Sequence, residues 1–439
     1  MSERGKQQVR PDREQRFQIE SPYRMNIPML LLTLVLICYG LIMLFSASMS
    51  AGYNTPDKNP LVYVLKQGQL TLLGIVVAAI IIFIPIQFYD RLIFVILIYM
   101  ATLALVIYTK FSGVVLGGSR RWIYVAGVTF QTSEFAKIAL VFFIAGYRSA
   151  VTRMRKAGRF RTGSLRRQAY MNAFVDIILP ASMILAVMIV VLLQPHMSGF
   201  IIMSAVAAIC FLVSGISIRS WIDGGLIMLV VVMIGANILM ATTNDTQKDK
   251  FLGNFEHVAT RLNIFATLNE EDAAAQDTKS EDENGEATDD EVYQSKQSKI
   301  AIGSGGASGV GFGSSRQKYK YLPEAHNDYV YAIACEELGF IGGVSIIILF
   351  WAFLCGGLAI AWRAQSDFAR ILAVGYTSLI VIQAFLNIGV AIGIVPPTGI
   401  TLPFFSYGGT ANLFFLTAVG LILAVSRTGV IRKKVTYID

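Results

Sequence analysis

Several stretches of about 20 residues carry almost no charged side chain. Each is long enough to cross a bilayer as a helix, and this constrains the fold more than any other feature. A soluble chain has about a quarter of its residues charged. Here 15% are charged and 54% are hydrophobic. A soluble globular enzyme, a disordered chain and a disulfide scaffold are therefore excluded. Cys38, Cys210, Cys335 and Cys355 all lie inside apolar runs, where a thiol behaves as a small hydrophobe. His196, His257 and His326 are far apart and show no zinc spacing.

Ten spans are expected, at about 27–49, 64–87, 91–109, 131–147, 171–193, 199–217, 221–241, 329–361, 370–394 and 408–427. The first apolar run is too long for a cleavable signal and reads as an anchor. Lys and Arg in the short connections set orientation. Basic residues crowd the tail 1–26, the loop 148–170 and the tail 429–439, and ten crossings place all three in the cytoplasm. The long connection 242–328 then lies outside. Its residues 270–291 hold eleven of the 29 acids against one lysine, Lys279. The rest of the chain carries 36 basic and 18 acidic residues, a net +18. Stretch 266–296 lacks apolar periodicity and is expected to be a disordered acidic insert. Basic charge beside apolar spans favours anionic lipid over nucleic acid, so no nucleic-acid partner is expected.

Polar groups at membrane depth are costly and point to function by default. The first cluster is Gly117-Gly118-Ser119-Arg120-Arg121-Trp122-Ile123, on the outside before span four. Arg offers phosphate a planar fork of donors, and Trp suits the headgroup level. An interfacial turn with a snorkelling anchor is the blander reading. The second cluster opens span four, where Glu134 and Lys137 are spaced i, i+3 and share a helix face. It also reads as an ordinary helix start. Gln194-Pro195-His196 reads as a tight outer turn.

The fourth cluster is the richest. Six glycines between 303 and 313 let the backbone approach a ligand closely, though no Gly-Lys-Ser/Thr ending follows. Arg316, Lys318 and Lys320 follow them and can hold a phosphate. Next comes Leu322-Pro323-Glu324-Ala325-His326-Asn327-Asp328, which ends where the chain re-enters the membrane. Asp328 reads either as a helix N-cap or as a general base with a raised pKa. Glu336 and Glu337 lie below it and cannot both ionise cheaply without partners. In the fifth cluster, residues 396–409, three prolines and three glycines forbid a regular helix. Such backbone is tolerated where it is buried in protein or lines a wet cavity.

These residues resemble one family, the SEDS proteins of bacterial wall synthesis such as FtsW, RodA and SpoVE. The likeness is carried by Gly118-Ser119-Arg120-Arg121-Trp122, Ser133-Glu134-Phe135-Ala136-Lys137, Leu322-Pro323-Glu324 through Asp328, Glu336-Glu337-Leu338-Gly339, and Pro397-Thr398-Gly399 through Ser406-Tyr407-Gly408-Gly409. It implies an all-α polytopic membrane protein of about ten helices, with a GT-C-like lipid-linked glycosyltransferase architecture. The implied activity is an inverting peptidoglycan glycosyltransferase that polymerises lipid II outside the membrane, for cell division or elongation.

The resemblance makes Asp328 the catalytic carboxylate. It assigns substrate binding to Arg121, Trp122, Glu134 and Lys137, and Arg316, Lys318 and Ser406 join them as candidates. No cofactor is fixed; Mg²⁺ or Mn²⁺ at the leaving diphosphate is the candidate, with unknown ligands. The implied partners are lipid II, a class B penicillin-binding protein transpeptidase, and divisome or elongasome proteins. Two departures stand out: His196 replaces the usual acid after Gln-Pro, and the acidic insert is long. The rival readings are a lipid II flippase, which would place ionisable groups near the midplane or on both sides, and a non-catalytic scaffold for the transpeptidase.

Overall fold

The computed structural model describes residues 19–20, 25–56, 58–116, 119–125, 128–194, 196–242, 286–319, 321–428 and 431–432. Gly117, Gly118, Pro195, Lys320, most of the acidic stretch and most of both basic tails lie outside the described residues; within the tails, β1 (Ile19–Glu20) pairs antiparallel with β5 (Ile431–Arg432).

The helices α1 (Ile27–Tyr53), α2 (Val62–Phe83), the short α3 (Ile86–Tyr89), α4 (Leu92–Ser112) and α5 (Thr132–Lys156) come first. Then α6 (Leu165–Ala173) runs through a π-turn, Phe174–Ile178, into α7 (Leu179–Leu192), followed by α8 (Met197–Val213) and α9 (Ile218–Thr242). After the long connection come α10 (Glu286–Ser304), α11 (Val330–Trp362), α12 (Asp367–Ala391) and α13 (Ala411–Ser426). A helix therefore stands at each of the ten expected spans. Among the described residues, seven are long and apolar enough to cross a membrane, while α8 and α13 are apolar but shorter.

Helices α5 and α12 form the centre. In each, 83% of the most apolar window is buried, against 22–44% in the five other long spans. Lipid-facing helices can be apolar all round, whereas central helices can hold polar groups that partner one another. Those two helices carry Glu134, Lys137, Gln383 and Asn387, all buried.

The all-α expectation holds, and the bundle adds a small antiparallel sheet, β2 (Val114–Leu116), β3 (Ser119–Val125) and β4 (Val128–Gln131), in that order. Its strands are too short to register beside the helical signal. One expectation needs correction: the insert expected to be disordered over 266–296 is helical from Glu286 onward. Its later turns bury Ser295, Ser298 and Ala301, and Ser298 Oγ donates to Ala391 O at 2.7 Å. Tertiary contact overrides the acid-rich composition there.

The glycine-rich stretch is correctly read as a site of close approach, but its neighbour is the protein itself. Helix α11 breaks at Gly339, where φ is 69°. The loop docks into that break: Val310 N donates to Glu336 O and Gly311 N to Glu337 O, both at 3.0 Å, and Phe340 N to Gly306 O at 2.8 Å. A Cβ on Gly309 would lie 2.1 Å from Glu337 O, and one on Gly339 2.3 Å from Gly309 N.

Side chains of α11 complete the join. Glu336 accepts from Ser315 Oγ at 2.5 Å and Arg316 N at 2.8 Å. Glu337, fully buried, pairs with Lys318 Nζ at 2.8 Å and accepts from Ser46 Oγ of α1 at 2.6 Å.

Two outcomes follow from this join. Gly309→Ala will lower the melting temperature in detergent by the equivalent of about 1–3 kcal/mol, because φ is 82° and a carbonyl fills the space. Gly303→Ala, where a Cβ meets nothing within 4 Å, will change it little. Lys318→Met, which strands a buried carboxylate, will cost roughly 3–5 kcal/mol in the same assay.

Candidate active site

At one end of the bundle, α5 begins directly after β4, so the sheet hangs over the first turns of the central helix. Glu134 Oε1 pairs with Lys137 Nζ at 2.7 Å, as their i, i+3 spacing requires. Lys137 also donates to Gln383 Oε1 of α12 at 2.6 Å. Two of its three N–H donors are thereby used, leaving one for a further acceptor. One turn along α12 from Gln383, Asn387 Nδ2 donates to Asp328 O at 2.7 Å and to Ile400 O at 2.6 Å. A single amide thus joins the segment before α11 to the non-helical stretch 396–409.

Asp328 is not an N-cap. Helix α11 starts at Val330, its capping residue is Tyr329, and the cap makes no side-chain hydrogen bond among the described residues. The Asp328 carboxyl instead stands beside the 396–409 loop, 3.7 Å from where a Cβ on Gly399 would be. Loss of solvent, with the Glu324 charge adding to it, pushes its pKa up to about 6, while Arg121 pulls the other way. A carboxyl poised there can accept a proton near neutral pH.

Arg121 faces this group from the sheet. Strand alternation puts Arg121 and Ile123 on one face of β3 and Arg120 and Trp122 on the other. Trp122 sits in register with Val114 and Gln131 and is half-buried, on the opposite side of the strand from Arg121.

His196 occupies the turn before α8, with Nε2 3.3 Å from Gln131 Nε2. Burial, then the charges of Arg121 and Lys137, push its pKa down to about 3. It is a neutral imidazole set between cations, so the carboxylate expected there by family resemblance has no ionic replacement. Ser198 Oγ donates to Thr398 O at 2.5 Å and ties this turn to the same non-helical loop.

The remaining candidates separate. Arg316 is exposed, and its backbone N–H is held by Glu336. Lys318 points away into the bundle, where Glu337, Ser46 Oγ and Gly313 O take its ammonium donors. Its expected role at a phosphate is therefore withdrawn: an ammonium this saturated has no donor to offer. Ser406 is buried, and its Oγ accepts from Leu402 N at 2.7 Å, which closes the turn that carries Phe404 at φ 69°. It shapes the loop.

Residues that charge-based reading passed over matter as much: Gln383, Asn387 and Gln131. The signal was present, since Gln383 and Asn387 are polar at i, i+4 inside an otherwise apolar span. Among the described residues, no group of three or more His, Cys, Asp or Glu gathers around a metal position. Magnesium is often held by one or two carboxylates plus substrate phosphates. Exposed Glu324 beside Asp328 fits that donor set.

Residues 27–430 match the family FTSW_RODA_SPOVE, described as Cell cycle protein. Stage V sporulation protein E of Bacillus subtilis (strain 168) is 33% identical over 409 residues, covering 92% of this chain and 97% of that protein. The probable peptidoglycan glycosyltransferase FtsW of Geobacter sulfurreducens (strain DL-1 / KN400) is 31% identical over 404 residues, 92% of this chain and 95% of its own length. Among solved structures, the rod shape determining protein RodA of Thermus thermophilus superimposes with a TM-score of 0.58 at 22% identity, over 92% of this chain and 97% of that one. A chain of a peptidoglycan synthase complex that coordinates polymerization and crosslinking gives a TM-score of 0.62 at 22% identity, over 92% and 98%. The bundle of apolar helices, the broken loops and these matches agree: the chain is a multi-pass membrane protein and belongs to the FtsW/RodA/SpoVE family.

Proposed function

We propose that the chain is an inverting peptidoglycan glycosyltransferase that polymerises lipid II into β-1,4 glycan on the outer face of the bacterial cytoplasmic membrane. The observation that carries this is Asp328: a sheltered carboxyl with its pKa raised to about 6, opposite Arg121 and tied through Asn387 to the 396–409 loop. Asp328 takes the proton from the 4-hydroxyl of the incoming lipid II as that oxygen attacks the anomeric carbon of the lipid-linked glycan. The α-linked diphosphate leaves from the opposite face and the new bond is β. Arg121 and the remaining N–H of Lys137 meet the developing charge on the diphosphate. A divalent cation such as Mg²⁺ or Mn²⁺, held by Glu324 and phosphate oxygens, would add charge neutralisation there.

The position of the ionisable groups favours polymerisation over lipid II transport. Glu134, Lys137, Asp328 and Arg121 gather at one end. The pairs at the other end, Arg148–Asp176 and Arg155–Asp176, satisfy each other. With basic loop 148–170 in the cytoplasm, the Asp328 end faces outward and both termini face inward. The named relatives and the solved synthase complex support a class B penicillin-binding protein as transpeptidase partner. Divisome or elongasome proteins complete the expected assembly.

Asp328→Asn, purified with its transpeptidase, will keep the wild-type melting temperature and make no glycan from labelled lipid II; normal polymer from it removes Asp328 as the base. The base works ionised, so kcat/KM will fall as pH drops through about 6. Glu324→Gln removes a like charge and will move that acid limb to lower pH. Arg121→Gln removes a stabilising cation and will move it higher. A pH–rate profile of lipid II polymerisation reads both shifts.

A further inference from the structure

The end of the bundle remote from Asp328 carries a charged surface that the polymerase reaction does not use. Residues 135–175 contain no Asp or Glu. Within them Lys156, Arg159, Arg161, Arg166 and Arg167 are exposed, and none is in an ion pair among the described residues. Their neighbours Arg148, Arg153 and Arg155 are engaged with Asp176 or Asp90, so the unpaired charge is concentrated at the tip.

This tip is folded. Gln168 Oε1 accepts from Thr162 N at 2.9 Å, and its Nε2 donates to Phe160 O at 3.0 Å and Asn172 Oδ1 at 3.1 Å. Phe160 is held at φ 67° to make the bend. Arg155 braces the same Asn172 at 3.2 Å.

Only residues 157–164 join α5 to the α6–α7 helix, and both helices are long and apolar enough to cross a membrane. A connection this short holds the tip at the bilayer surface. Leu165 (92% exposed) and Tyr170 (62% exposed) stand among the cations, a mixture suited to the headgroup layer. We propose that residues 156–170 form a docking surface for anionic phospholipid headgroups. Phosphates meet Lys156, Arg159, Arg161, Arg166 and Arg167, and Leu165 and Tyr170 enter the acyl boundary. Neither the lipid II chemistry nor the transpeptidase partnership is needed for this assignment.

The full chain in detergent, titrated with phosphatidylglycerol or phosphatidylcholine and read by native mass spectrometry, tests it. The wild type will bind phosphatidylglycerol at least tenfold more tightly than phosphatidylcholine, and added salt will weaken the preference. R159Q/R161Q/R166Q/R167Q will lose that preference with helicity and melting temperature unchanged. Gln168→Ala, which keeps every charge but unties the bend, will lose part of it. Undiminished preference in the quadruple variant overturns the proposal. So does displacement of phosphatidylglycerol by stoichiometric poly-glutamate, which would mark the surface as a site for acidic polypeptide.

Discussion

Two adjacent carboxylates inside a membrane helix set the terms for the site. Glu336 and Glu337 are almost fully buried, and an isolated charge there would be expensive. Each is satisfied from a different direction: Glu336 by the backbone and hydroxyl of residues 315–316, Glu337 by Lys318 and by Ser46 of α1. The segment that leads to Asp328 is consequently stapled to α11 and α1 before it reaches the active end. The glycine-rich loop reinforces the staple, because its N–H groups close on carbonyls freed where α11 breaks at Gly339.

The active end has a different character. Its polar groups lie on facing turns of α5 and α12, and the link between them is a neutral amide, Gln383. Neutral amides can brace a cation and a carbonyl without adding charge in a low-dielectric setting. Asp328 has a raised pKa because burial strips solvent from its carboxyl and the Glu324 charge opposes ionisation, while Asn387 bonds only to its backbone carbonyl. A donor on the carboxylate would have favoured the charged form and lowered it. The residue is thus held in place by its main chain, and among the described residues no donor hydrogen-bonds to its carboxylate.

Much of this was legible in the sequence, for identifiable reasons. Bilayer thickness forces long apolar runs, so a helix stands wherever hydropathy placed a span. The i, i+3 spacing of Glu134 and Lys137 forecast their ion pair. The glycines forecast close approach, but spacing cannot say whether the neighbour is a phosphate or a helix of the same chain. Arg316 and Lys318 look alike on the page, yet one is exposed and the other paired with Glu337 across the loop. That difference depends on the break at Gly339, a tertiary event. The helix from Glu286 was hidden by its acids, since composition weighs them and not the serines and alanine it buries further along.

Because one amide of Asn387 holds both Asp328 O and Ile400 O, the two chain segments around the carboxyl behave as one fixed wall. The opposite wall, the small sheet bearing Arg121, joins α4 and α5 by short turns and is tied back by Gln131 to His196, by Thr129 O to Thr410 Oγ1 and by Phe130 against Phe414 of α13. The guanidinium and the carboxyl are thus carried on two separately buttressed walls, so the span between them is set by how the helices pack and not by either loop alone.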